Sequence, residues 1–126
     1  MRILILIMVI LFTGCKPLKE MEEEAGKIKS MKIENIDFSK LGDGIYRGKC
    51  EFKMVKAEVE VVIKSGKLES VKIVKHEKMM GKPAEKITER VKEKQSLQVD
   101  VVAGATYSSK VILKAIENSV KQFKIN

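Results

Sequence analysis

The 126-residue chain has no Trp, one His, two Cys and two Pro, and only six Phe and Tyr residues together. Each shortage excludes something. Two cysteines cannot build the disulfide framework of a small stapled domain. A single histidine leaves most metal sites, and the His-based triads, short of the residues they need. Few prolines and glycines exclude collagen-like and Pro/Gly-rich disordered chains. Only one stretch is apolar enough to enter a bilayer, so the chain is not a multi-span membrane protein. No Gly-Lys-Ser/Thr stands at P-loop spacing, and no G-x-S-x-G elbow occurs. What the chain has in quantity is charge: 25 Lys and Arg against 17 Asp and Glu, a formal net charge of +8. The basic residues are spread among glutamates and form no arm. That distribution argues against nucleic acid as a partner; for a chain exported and anchored as read below, contact with anionic lipid headgroups is the expected use of the basic excess. The length suits one small domain with a short appendage.

The apolar stretch is residues 3–12, ILILIMVILF, preceded by Arg2. A spanning helix needs about 20 apolar residues; a run of about 10 suits the core of a signal peptide. It ends in Phe12-Thr13-Gly14-Cys15, which resembles a bacterial lipobox with Phe12 where Leu is usual. The expectation is a signal peptide over residues 1–14, with Cys15 lipidated as the first residue of the mature protein. Residues 15–40 then form the lipid anchor and a polar tether, and residues 41–126 the domain, held on the extracytoplasmic side of the cell membrane. Removing residues 1–14 takes away only Arg2 among the charges, so the formal charge falls from +8 to +7. Cys50 is left as the lone thiol, expected as a small strand residue.

Residues 16–37 are polar and charge-mixed and read as a solvated spacer, with one or two helical turns around Glu20–Lys27. The folded part is expected from about Ser39. Asp43-Gly44 is a turn signal and Ile45–Phe52 a first strand. Val55, Ala57, Val59, Val61 and Ile63 alternate with Lys56, Glu58 and Glu60, the period of a half-buried strand, and Val62 interrupts the polar face. Ser65-Gly66 is a two-residue turn and Lys67–Lys75 the returning strand. Pro83 opens a short helix with Ala84, Ile87 and Val91 on one face, ending near Lys94. Leu97, Val99 and Val101 alternate, which predicts extended chain. From Ser108, Ile112, Ala115, Ile116, Val120 and Phe123 recur at helical spacing, with Ser108 or Ser109 as N-cap. The fold class is α+β: a small antiparallel sheet with a short helix and a C-terminal helix packed on it.

Between Val99–Val102 and that helix lies AGATYSS, residues 103–109. A helix start exposes unpaired N–H groups and partial positive charge, Gly104 and Ala105 admit a phosphate closely, and Thr106, Ser108 and Ser109 add hydroxyls. By itself this is also ordinary loop chemistry, a Gly-Ala turn feeding a Ser cap. The run Asp100-Val101-Val102-Ala103-Gly104-Ala105-Thr106 resembles the Asp-x-x-Ser/Thr-Gly/Ser-Ala-Thr flavinylation motif. The longer run DVVAGATYSSKVILKAIENSV is very similar to the C-terminal signature of the FMN-binding domain family. That family includes the C and G subunits of the sodium-translocating NADH:quinone reductase and Rnf complexes, and bacterial FMN-binding lipoproteins. DGIYRG at Asp43–Gly48 looks like the family's opening strand, and Val59–Lys78 like its hairpin.

The resemblance implies FMN as cofactor, carried for electron transfer outside the cytoplasm rather than for a stand-alone enzymatic reaction. It implies that FMN is joined through its phosphate to Thr106 by a separate flavin transferase, which takes it from FAD, and that Asp100 belongs to the recognised motif. Gly104, Ala105, Tyr107, Ser108 and Ser109 complete the expected cofactor site. Tyr107 has two open roles, stacking on the flavin ring or packing beside the turn. Two departures stand out: Ala103 replaces the usual Ser or Thr, and Cys50–Lys56 lacks the family's glycines. The alternatives are FMN held without a covalent bond, or a flavin-free module that binds a partner. The redox partner is not identified by the sequence. His76 is expected at the surface or a pocket rim, a Cys50–His76 dyad lacks any local signature, and Met79-Met80 could rim a flavin site. Cys15→Ala is expected to block lipid labelling and leave the chain unprocessed, read by metabolic lipid labelling and intact mass; an unlabelled wild type retaining residues 1–14 would refute the lipobox reading.

Overall fold

A computed structural model describes residues 16–53, 55–77 and 81–122 of the chain. The elements run α1 (Lys16–Ser30), a 3-10 turn (Phe38–Lys40), β1 (Gly44–Glu51), β2 (Lys56–Lys64), β3 (Lys67–Glu77), α2 (Gly81–Lys94) and α3 (Thr106–Gln122). The three strands form one antiparallel sheet in the order β1-β2-β3, so the α+β class and the meander are as expected.

The sheet follows from its period of two. In β2, Ala57, Val59, Val61 and Ile63 are buried, and the residues between them are half-buried or exposed. In β1 the buried positions are Tyr46, Gly48 and Cys50. In β3 the core-facing apolar residues are Leu68, Val71 and Ile73, whose spacing is uneven. Two irregularities absorb the mismatch: the register steps from Val62↔Ser70 to Ile63↔Leu68 and from Glu58↔Lys75 to Val59↔Ile73. The extra residues are Glu69 and Val74; the first bulge brings Val71 onto the core face after Leu68, and the second leaves Val74 exposed. At the β2–β3 turn Ser65 and Gly66 have φ of 52° and 73°, the mirror-image geometry that matches strand twist in a two-residue loop.

The outer face of the sheet is ordered by charge. Across the three strands, Arg47, Glu60 and Lys72 share one row, and Lys49, Glu58 and Lys75 another, each alternating in sign. Glu51 faces Lys56. Arg47 and Glu60 close to 3.1 Å. Exposed pairs of this kind contribute little each, but a two-residue slip of β1 would set Lys49 opposite Lys56, so the pattern specifies register.

Helix α3 lies on the inner face, against β1 and β2, with α1 and α2 along its other flanks. Its buried residues, Ser108, Ser109, Val111, Ile112, Leu113, Ala115, Ile116, Glu117, Ser119 and Val120, cover most of its circumference. It can lie this close because β1 has no side chain at Gly48. A Cβ there would stand 2.3 Å from the Ala115 carbonyl oxygen and 2.3 Å from the Ser119 amide.

The polar stretch before the sheet departs from the expected spacer. Residues 16–30 are one continuous helix, and Ile28 is fully buried. Beyond it Ile33 and Ile36 pack against the core. The Glu34 amide donates to Glu117 Oε1 at 2.6 Å. Glu117, only 1 % exposed, also pairs with Lys114 at 2.6 Å and Lys121 at 3.6 Å. A hydrogen bond from Lys121 holds the Glu34 carboxyl below its ordinary value. Packing therefore begins near Ile28 rather than Ser39. The sequence period missed it because this segment docks through single residues and backbone groups, not through an apolar stripe.

Gln95 is a further device that periodicity could not reveal. It stands just past α2 with φ 53°, and its carboxamide donates to the Lys92 carbonyl at 2.7 Å. The same side chain accepts from the Leu68 amide at 2.8 Å and donates to the Leu68 carbonyl at 3.0 Å. It thus ends the helix and pairs with the β3 edge as one residue of a fourth strand would. For the packing as a whole, Gly48→Ala is the sharpest test. The added methyl meets backbone that cannot rotate away, so unfolding in urea is expected to show a loss of about 3 kcal/mol; unchanged stability would contradict the closeness of α3 to β1.

Candidate functional site

Residues 97–105 lead into the site. Their alternation predicts extended chain, and residues 98–102 join no ladder. Side chains hold them instead. Asn35 Oδ1 accepts from the Leu97 amide at 3.1 Å. Gln98 donates to the Ile33 carbonyl at 2.8 Å, and Lys94 donates to the Gln98 carbonyl at 2.6 Å. Arg90 Nη1 donates to two successive carbonyls, Asp100 at 2.8 Å and Val101 at 3.2 Å. Leu97 and Val102 are the buried anchors, with Val99 and Val101 half-buried between them.

A turn follows over Val102–Ala105, closed by the Ala105 amide donating to the Val102 carbonyl at 2.9 Å. Gly104 has φ +80°, and this third position of a type II turn is where glycine is required. A Cβ on Gly104 would have nothing within 4 Å. The restriction there is conformational, and the space beside the turn is open.

Helix α3 starts at Thr106, two residues before the expected start at Ser108. Its first bond runs from the Ser109 amide to the Ala105 carbonyl at 2.9 Å, so Ala105 occupies the cap position. The expectation that Ser108 or Ser109 is the N-cap is therefore corrected. Ser109 is fully buried, and its hydroxyl accepts from the Val102 amide at 3.1 Å. Satisfying that buried donor takes the hydroxyl away from any capping role. Ser108 is buried in the first turn. Because alanine has no side-chain oxygen, nothing at the cap position covers the amides of Thr106, Tyr107 and Ser108, which carry the positive end of the helix.

Around this helix start, Asp100, Ala103 and Gly104 are exposed, Ala105 is buried, and Thr106 and Tyr107 are half-buried. Tyr107 is half-buried and packs against the core edge. Beside the turn, α2 and the loop border an open cleft of about 680 Å³ lined by Arg90, Glu93, Lys94, Val99, Asp100, Val101 and Ala103. That volume lies in the range of small-molecule sites, about 300–1,000 Å³. The α2 residues of the cleft gave no signal in the sequence, since charges on the outer face of an amphipathic helix read as solvated. Only the folding of α2 against the loop makes them a wall.

Cys50 is buried, and burial pushes its thiol up to about 11, the opposite of what a nucleophile needs. Cys50 and His76 share one register row with Ala57 between them, which separates their backbones by two strand spacings, about 10 Å. The His76 side chain, Met79-Met80 and Cys15 lie outside the described residues. Among the described residues no group of three His, Cys, Asp or Glu could hold a metal ion, and no helix is long and apolar enough to cross a membrane.

The family model of the FMN-binding domain matches residues 53–121, more than half of the chain. The chain belongs to the FMN-binding domain family, and FMN is its cofactor. No curated protein matches it. The residues present fit the phosphate end of such a group: an uncapped helix start, a glycine turn open to solvent, and a half-buried hydroxyl at Thr106. For the loop itself, Ser109→Ala is expected to cost about 1–3 kcal/mol in urea unfolding, because the Val102 amide loses its buried acceptor. A neutral result would mean that this amide finds water.

Proposed function

We propose that the protein is a membrane-tethered flavin carrier, with FMN joined to Thr106 through a phosphoester and used to pass electrons outside the cytoplasm. The observation that carries the reading is the position of Thr106. It is the first residue of α3, directly after a glycine turn, where backbone amides without a side-chain cap stabilise an anionic phosphodiester. A Thr hydroxyl is a weak nucleophile without a base, so activation belongs to the flavin transferase. In the attachment, Thr106 Oγ forms a bond to the FMN phosphorus of FAD, the pyrophosphate P–O bond breaks, AMP leaves, and the transferase takes the hydroxyl proton. Asp100, Gly104 and Ala105 shape the segment that the transferase recognises.

Once bound, the flavin supplies the redox chemistry, and the protein supplies position and electrostatics. The uncapped amides hold the phosphate, and the loop's side-chain bonds keep the attachment point from moving. In the same reading Cys15 carries the lipid and α1 starts at Lys16, the next residue. From there to the packed Ile28 the link is helical, about 20 Å long at 1.5 Å per residue. The domain is then held at short, definite range from the bilayer, with its redox partner outside the cytoplasm.

Co-expression with a flavin transferase tests the assignment. Intact mass and peptide mapping are expected to find one FMN adduct on the peptide containing Thr106, absent in Thr106→Ala and retained in Ser108→Ala. Restoring the motif's hydroxyl with Ala103→Ser is expected to keep or raise the loading. An adduct that survives in Thr106→Ala refutes the acceptor. Tight flavin binding without an adduct refutes the covalent reading in favour of reversible FMN, and the absence of both leaves a tethered partner-binding module.

A further inference from the structure

The cleft between α2 and the loop shares Asp100, Val101 and Ala103 with the flavinylation motif and adds Arg90, Glu93 and Lys94 from α2. Ala103, on its wall, is three residues from Thr106, which is at most about 11 Å of chain even if fully extended, and the Val102–Ala105 turn shortens that path. A phosphate and five-carbon ribityl chain starting at Thr106 reaches this far. The lining has two characters: Val99 and Val101 are half-buried and apolar, while Arg90, Glu93, Lys94 and Asp100 are charged. Flavin rings have the same division, an apolar benzenoid edge and a polar pyrimidine edge. Arg90 and Lys94 line the cleft and also hold the loop, Lys94 by donating to the Gln98 carbonyl and Arg90 by donating to the carbonyls of the motif residues Asp100 and Val101.

We propose that this cleft receives the flavin ring and that Arg90 is a positioning residue, holding the loop wall while setting a fixed positive charge beside the ring. The inference rests on the flavin-carrier reading of Thr106. Its consequence is electrostatic. A flavin that takes up two electrons and one proton gains one negative charge. A cation beside the ring favours that form, and a carboxylate disfavours it. Arg90 raises the midpoint potential of the bound flavin, and Glu93, exposed on the same wall, lowers it.

The test uses the flavin-loaded full chain in a redox titration at low ionic strength, with dithionite supplying the electrons and with thermal unfolding checked in parallel. Arg90→Gln keeps an amide donor for the carbonyls and removes the charge; its potential is expected to fall below wild type, and Arg90→Lys is expected to return most of the shift. Glu93→Gln is expected to raise the potential. Glu93 is exposed, so this variant decides the matter even where Arg90→Gln fails to fold or load. A loaded, folded Glu93→Gln protein with an unmoved potential overturns the placement of the ring in the cleft, as does an unmoved potential in Arg90→Gln. A wild-type chain that takes no flavin at all removes the underlying reading itself, a result distinct from either.

Discussion

The close approach of α3 to β1 at Gly48 sets the geometry of the rest. A helix seated on backbone rather than on side chains has little freedom to slide or tilt. Its first residue, Thr106, is positioned by the same contact, although it lies far along the helix from the Ala115–Ser119 stretch that touches the strand. The helix also brings its one buried charge, Glu117, to the chain segment before the sheet. There the carboxylate is satisfied by a backbone amide and two lysines, as a buried charge must be. One rigid element thus connects sheet, N-terminal segment and cofactor site.

The loop before α3 follows a different logic. It has no ladder to hold it and depends on its own Gln98 and on four polar side chains from elsewhere in the chain: Asn35, Arg90, Lys94 and Ser109. Such a segment can keep its backbone in place while leaving the outer side of Gly104 open. A strand paired on both sides could not expose itself to a phosphate, or to a second protein that attaches one, without breaking the ladder. Loop placement on a rigid scaffold is the usual answer to that conflict.

Much of the fold was legible in the residues. The alternation over Val55–Ile63, the turn at Ser65-Gly66 and the helical spacing after Ser108 each report local geometry that burial later exploits. Less legible were the elements whose roles are single contacts. Ile28, Glu34 and Asn35 lie in a stretch with the composition of a spacer, and nothing in its period separates a docked segment from a free one. The N-cap was misjudged for a related reason. Serine is the favoured cap by propensity, but the buried amide of Val102, seven residues earlier in the chain, competes for the Ser109 hydroxyl and takes it.

The sequence by itself determined the class of the sheet, the identity of the last helix and, through Asp100–Thr106, the family and its cofactor. These are local properties: side-chain period, turn chemistry and a contiguous motif. Tertiary structure alone decided that α3 begins at Thr106, that Gln95 closes the β3 edge, and that Arg90 meets the loop to make a cleft. Each of these depends on which polar group reaches which partner across the chain, and hydrogen-bond satisfaction in a packed interior is settled by position in space, not by order in the chain.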